Sequence, residues 1–277
     1  MPAADLQAAV DSLRDSARIE YTPCGDGQMV WRRWGEGKPL VLFHGGGGSW
    51  EHWAANIESL SQHREIWCPD FPSFGDSGDV PAPGQVDEIA QITADGVDQL
   101  FSRPIDIAGF SFGAMVGTLI AHHRPGRVGQ LILVGAASLG VPRNHPPLQV
   151  WRKATDPVQR MALHRTNLHI LMLARSEPDD AALALHSRNV ERARYNGRRL
   201  AFSTRLLDLL DALDVKRLDA IYGEFDATCD GNLALVESVI RERRPEARLI
   251  GIPGAGHWVQ YEGAAACEAA ILELLAA

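Results

Sequence analysis

The chain is poor in cysteine. Its 277 residues include four, Cys24, Cys68, Cys229 and Cys267, and no two of them form a C-x-x-C pair. That scatter argues against a zinc cage, a dithiol redox centre or a disulfide framework. It fits small buried hydrophobes in a reducing compartment. Basic charge is also in deficit. The formal net charge is -8, and nucleic acid and anionic membrane both require a basic face, so neither is an expected partner. No stretch approaches the roughly 20 apolar residues of a membrane span. The opening "MPAADLQAAVDSLRDSARIEY" has acids where a signal peptide has lysines. A cytoplasmic protein is therefore expected. Internal repeats and low-complexity tracts are missing too. The glycine run in "FHGGGGSW" is not followed by lysine in G-x-x-x-x-G-K-S/T spacing, and no G-x-G-x-x-G opens a helix, which disfavours a phosphate loop.

What remains is a chain with 45% hydrophobic and 22% charged residues, enough for one large α/β domain. Leu6, Val10, Leu13 and Ala17 fall at helical spacing, which predicts a short amphipathic helix packed on the body or on a second subunit. Ile19 to Thr22 and Met29 to Trp34 flank the turn-like "CGDG" and predict an antiparallel hairpin. Leu40 to Phe43 is an apolar run that stops at glycines, and a helical segment starts near Trp50. "REIWCPDFPSFGDSG" runs from strand into a Pro/Gly loop; residues 85–101 are helical; "RPIDIAG" and "RVGQLILVG" are strands. These strands are continuously apolar, so they are buried on both faces of a mostly parallel sheet covered by helices. From 139 to 213 no strand is evident, and three or four helices are expected as an insertion over the sheet. The division is a core of residues 1–138 and 214–277 with a helical cap at 139–213. Strand, helix, strand and helix follow at 217–222, 233–243, 248–252 and 264–275.

Gly109-Phe110-Ser111-Phe112-Gly113 stands where strand passes into helix. A turn that tight strains the middle residue and pushes its side chain above the sheet, and bulk two positions away would clash. A serine hydroxyl is a weak nucleophile and needs a base. His257, in "IPGAGHWVQYE", follows the last strand and reaches the carboxyl edge where Ser111 lies. The other histidines have plainer readings: His122 and His123 are neighbours within a helix, His52 and His63 flank one, and His164, His169 and His186 lie in the insertion as candidates for solvated positions. Asp226, in "IYGEFDATCDG", is the expected carboxylate partner, with Glu224 and Asp230 as rivals. Asp70 reads as a group that fixes a loop. Backbone N–H groups of Gly46 and Phe112 are the expected donors to a developing oxyanion, and His44 the brace of that loop. Gly45 and Phe110 are placed beside the substrate. Trp151, Met161, Leu171, Met172 and Leu206 are the expected apolar lining of a pocket.

The order Ser, Asp, His, with "HGGGGSWEHW", "DFPSFGDSG", "GFSFGA", "YGEFDAT" and "GAGHWVQYE", resembles the α/β-hydrolase fold superfamily across residues 29–277. The resemblance implies about eight strands with one antiparallel, a helical cap after strand six, and a cofactor-free, metal-free acyl-enzyme cycle. "GHWVQYE" and "RNVERAR" look like the meta-cleavage product hydrolases, which cut carbon–carbon bonds in vinylogous diketone acids. In that group a cap arginine holds the substrate carboxylate, which Arg188 or Arg192 would match, and Trp258 matches a tryptophan after the histidine. Phe110 stands where that group usually has asparagine, and the glycine loop lacks its usual proline. The expectation is a serine hydrolase of small carboxylic esters or lactones. The alternatives are a C–C hydrolase and a non-catalytic ligand-binding relative. A small-molecule substrate is expected, and a homo-oligomer is compatible with the sequence.

Overall fold

In the computed structural model, which describes residues 3–80, 85–174 and 177–276, the predicted hairpin is present. Strands β1 (Arg18–Cys24) and β2 (Gly27–Trp34) pair antiparallel with Tyr21 opposite Val30. Their turn uses Gly25 at φ 55°. Ahead of them helix α1 (Ala3–Ser16) buries Leu6, Val10 and Leu13 against Trp34, Trp50 and the first half of the sheet. The helix therefore packs on the body, and the indole N–H of Trp34 donates to the Leu13 carbonyl at 3.0 Å.

The sheet has eight strands in the order β1-β2-β4-β3-β5-β6-β7-β8. The remaining strands are β3 (Pro39–Phe43), β4 (Glu65–Pro69), β5 (Ile105–Phe110), β6 (Val128–Val134), β7 (Arg217–Gly223) and β8 (Leu249–Ile252). Strand β2 runs against both its neighbours; every other pairing is parallel. Side chains alternate between two separate cores, as the strand period of two requires. Val41, Phe43, Ile107, Leu131 and Leu133 enter one layer, with α3 (Val86–Leu100) and α4 (Phe112–His123). Leu40, Leu42, Ala108, Ile132 and Val134 enter the other, with α1 and the C-terminal helix. Burial on both faces is why these strands read as unbroken apolar runs.

The helical segment expected near Trp50 is a 3-10 turn, Trp50–Trp53, followed by the single turn α2 (Ile57–Leu60). Between β6 and β7 the described residues contain no strand. Helix α5 (Pro157–Leu171) starts at Asp156, whose carboxylate accepts from the Val158 and Gln159 amides, with proline in the first turn. Helix α6 (Asp180–Arg192) is capped in the same way by Asp179. The third expected helix is broken. Residues 200–212 form two 3-10 turns around the short α7 (Arg205–Leu209). Here the hydroxyls of Ser138 and Ser203 both donate to the Leu200 carbonyl and stop the first turn from propagating. The chain ends with α8 (Leu233–Arg243), α9 (Val259–Glu262) and α10 (Ala264–Ala276).

The four cysteines are buried and free. No described helix is long and apolar enough to cross a membrane. Leu6→Ala opens a cavity beneath α1 and is expected to lower unfolding free energy by about 2–5 kcal/mol in urea titrations. A change under about 0.5 kcal/mol would show that α1 does not belong to the core.

Candidate active site

Ser111 has φ 52° and ψ −109°, a region that costs a non-glycine residue about 1–3 kcal/mol. Two backbone bonds hold it there. Its N–H donates to the Val134 carbonyl at 2.8 Å, and its carbonyl accepts from the Ala114 amide at 3.0 Å. The flanking glycines are required by contact. A Cβ on Gly109 would stand 2.5 Å from the Gly113 carbonyl oxygen, and one on Gly113 would stand 2.7 Å from the Phe43 and His44 carbonyl oxygens. The turn thus drives helix α4 against the ends of β3 and β5 and leaves the serine side chain above the sheet.

His257 lies in the loop between β8 and α9, and its Nε2 is 3.0 Å from Ser111 Oγ. Its Nδ1 is 3.0 Å from both oxygens of Asp226, which follows β7. With the Nδ1–H donating to Asp226, Nε2 is left to accept from the serine hydroxyl. Asp226 Oδ1 also accepts from the amide and the hydroxyl of Thr228, each at 2.7 Å. Burial by itself would raise this carboxyl. The charge and hydrogen bond of His257, with the two Thr228 donors, outweigh it and hold the group below the usual carboxylate range. The rival acids are occupied elsewhere: Glu224 accepts from the Gly254 amide, and Asp230 from Asn144.

The Gly45 peptide is clamped at both ends. Its N–H donates to His52 Nδ1 at 3.1 Å, and its carbonyl accepts from His44 Nδ1 at 2.8 Å. His44 Nε2 in turn accepts from the Phe71 amide at 3.0 Å, so the imidazole is neutral. Next along the chain, Gly46 lies against Phe112: a Cβ there would be 3.7 Å from the Phe112 Cβ. Among the described residues neither the Gly46 nor the Phe112 N–H has an acceptor, and both residues line the cavity over Ser111. Phe110 fills the space below, against Gly45 and within 4.9 Å of the His257 ring. Asp70 does fix a loop, accepting from Arg32 and from the Trp50 and Asp76 amides.

The cavity measures about 440 Å³ and lies between the carboxyl edge of the sheet and the helical insertion. Trp151, Leu171 and Met172 line it with Phe74, Met115 and Tyr195. Several expectations fail here. Met161 is exposed on α5, and Leu206 is buried in the core beneath the insertion. Arg188 does not line the cavity; it is held by the buried Glu51 at 2.8 Å, which also binds Arg14 of α1 at 2.7 Å. Arg192 is paired with Asp76. Trp258 is likewise outside the cavity. Its indole N–H donates to the His52 carbonyl, and its amide to Met172 at the end of α5. His164 and His186 are buried rather than solvated.

Three contributors escaped sequence reasoning. His52 and Thr228 carry no motif signal of their own. Gly135, at φ 53° after β6, has one: a glycine closing an apolar strand. A Cβ there would stand 3.0 Å from Asp226 Oδ2 and 3.1 Å from His257 Nδ1.

The family model described as alpha/beta hydrolase family matches residues 40–270. A dihydrolipoyllysine-residue acetyltransferase component of an acetoin cleaving system from Pseudomonas putida is 29% identical over 232 residues. That match covers 82% of this chain and 60% of the relative. A pimeloyl-(acyl-carrier protein) methyl ester esterase from Vibrio campbellii is 35% identical over 109 residues, 39% of this chain and 41% of the relative. The chain thus spans less than two thirds of the length of both. A solved meta-cleavage product hydrolase from Pseudomonas fluorescens IP01 superposes with a TM-score of 0.75 at 20% identity, over 92% of this chain and 97% of that one.

Burial lowers His44 to about 4 from an ordinary 6.5, against the opposing pull of the Gly45 carbonyl. Between those values the unfolded chain takes up a proton that the folded protein refuses. The full stability contribution is present above about pH 6.5 and is lost as pH falls toward 4, at roughly 1.4 kcal/mol per unit. Unfolding titrations at pH 7, 6 and 5 should show stability falling by about 2 kcal/mol in all, more between pH 6 and 5 than between 7 and 6, and His44→Asn should remove about that much of the fall. An unchanged slope in the variant would contradict the neutral-imidazole clamp.

Proposed function

The chain belongs to the alpha/beta hydrolase family, and from that premise we propose that it is a serine hydrolase acting on a small carboxylic ester or lactone. The observation that carries this reading is the chain of contacts Asp226 to His257 to Ser111, each about 3.0 Å, at a strained serine facing a largely apolar cavity. Ser111 Oγ attacks the carbonyl carbon while His257 Nε2 takes its proton. Asp226 holds the Nδ1 proton and balances the imidazolium. The Gly46 and Phe112 N–H groups receive the oxyanion, where loss of one donor costs about 3–4 kcal/mol of transition-state stabilisation. His257 then protonates the leaving alkoxide, giving an acyl ester on Ser111. Water, deprotonated by the same imidazole, releases the acid and restores the hydroxyl. Residues 139–213 act as the cap that excludes solvent and selects the substrate.

An ester is favoured over a vinylogous diketone by one observation: Phe110 fills the position before the nucleophile with an apolar ring over Gly45. The esterase and the meta-cleavage hydrolase among the similar proteins are compatible with either chemistry. Turnover of p-nitrophenyl butyrate but not of a 2-hydroxy-6-oxodienoate decides for the ester; the reverse decides for C–C cleavage. Inertness toward both would favour the ligand-binding alternative.

Ser111→Ala is expected to lower kcat about 10⁴-fold or more with little change in KM. Retention of more than a tenth of the activity would refute the nucleophile. Gly135→Ala presses on both Asp226 and His257 and should lower kcat by on the order of 100-fold, the usual penalty for displacing a reacting group by about an ångström. Steady-state kinetics with an unchanged circular dichroism spectrum is the check.

A further inference from the structure

Beside the cavity over Ser111 lies a smaller chamber of about 210 Å³. The two spaces share Ala137, Ser138, Arg143, Ala201, Phe202 and Thr228. Among the described residues no aspartate or glutamate lines either space, yet Arg143, Arg152 and Arg198 all line the larger one. Arg152 and Arg198 are exposed at the rim, whereas Arg143 is half-buried and is the arginine that borders both chambers.

The surroundings of Arg143 lack an anion. Its guanidinium lies over the Phe202 ring, 4.2 Å from the centroid, and one Nη donates to the Ala201 carbonyl at 2.8 Å. Among the described residues it has no ion pair. The acids whose fields reach it are Asp226 and Asp230, and both are engaged elsewhere, with His257 and with Asn144. Elsewhere among the described residues buried charged groups are paired: Asp70 with Arg32, Glu51 with Arg14 and Arg188, Asp106 with Lys38 and Arg64. Withdrawing a guanidinium from water without a partner is unfavourable, and an anion that completes it recovers that loss. Contact with the Phe202 ring holds the guanidinium in place, and a guanidinium can receive a carboxylate through two parallel N–H bonds. Burial draws this arginine below its ordinary value, while the two aspartates push the other way; an arginine remains cationic in either case.

We propose that Arg143 anchors a carboxylate of the substrate in the chamber beside Ser111, so that the preferred esters carry an anionic group. This rests on Ser111 being the nucleophile, and the test separates the two claims. Two esters are compared, p-nitrophenyl butyrate and mono-p-nitrophenyl glutarate, with the wild type, Arg143→Gln and Arg143→Lys. The wild type should prefer the glutarate ester in kcat/KM. Arg143→Gln should lose roughly 30-fold or more on it, mainly through KM, and stay within about 3-fold on the butyrate. Arg143→Lys should recover part of the loss. Absence of a preference in the wild type, or an equal loss on both esters in Arg143→Gln, would overturn the proposal.

Calorimetric titration of the Ser111→Ala protein with monomethyl glutarate and with dimethyl glutarate tests the anchor without turnover. The monoanion should bind at least about 10-fold more tightly; equal affinities would overturn the proposal. Should the monoanion preference hold while the wild type turns over neither ester, Arg143 stands and the hydrolytic reading falls.

Discussion

The backbone of one residue constrains the rest of this site. Ser111 occupies a conformation that a side chain disfavours, and the surroundings over-determine it. Its N–H is fixed by β6, its carbonyl by the first turn of α4, and its flanks by glycines that admit no Cβ. A relaxed backbone here would rotate the hydroxyl away from His257 and the Phe112 N–H away from the space beside it. The strain, about 1–3 kcal/mol, is offset by core packing on both faces of the sheet and serves to aim two groups at one point.

Around that point the protein arranges polar groups in pairs so that few are left to choose a partner. His44 and His52 hold opposite ends of the Gly45 peptide. Thr228 and His257 saturate Asp226. Burial lowers both clamp histidines, and for His52 the fields of His44, His186 and His257 add to it. Neutral imidazoles can accept from an amide, as these do from Phe71 and Gly45, and a charged one could not. The helical insertion is tied to the same framework. Glu262 accepts from the Gly256 and Ala174 amides, so the loop carrying His257 and the end of α5 share an anchor. Ion pairs of Arg188, Arg192 and Arg194 fasten the far end of α6 and the residues after it.

Much of this was legible in the order of residues. The strands announce themselves because both faces are buried, and the tight turn at Ser111 because only glycine fits beside it. His257 and Asp226 could be chosen because parallel strands deliver their following loops to one edge. The insertion was legible as helical but not in its contacts. Arg188 and Arg192 look like solvated or substrate-facing positions until Glu51 and Asp76, more than a hundred residues away in the chain, are seen beside them. Trp258 adjoins His257 in sequence, yet its ring turns back to His52. Met161 and Leu206 share the helical apolar spacing of true lining residues. Which face of a short helix meets a cavity depends on tertiary docking, which local periodicity does not encode. Arg143 lies in a segment without regular structure, so no pattern marked it.

The central claim is that Ser111 is the reactive hydroxyl, made so by His257. Peptide-mapping mass spectrometry after brief exposure to a fluorophosphonate measures this directly. A single adduct on Ser111 is expected, formed at least about 100-fold more slowly when His257 is replaced by Gln. An adduct on another residue, or labelling of Ser111 at the same rate without the imidazole, would contradict it.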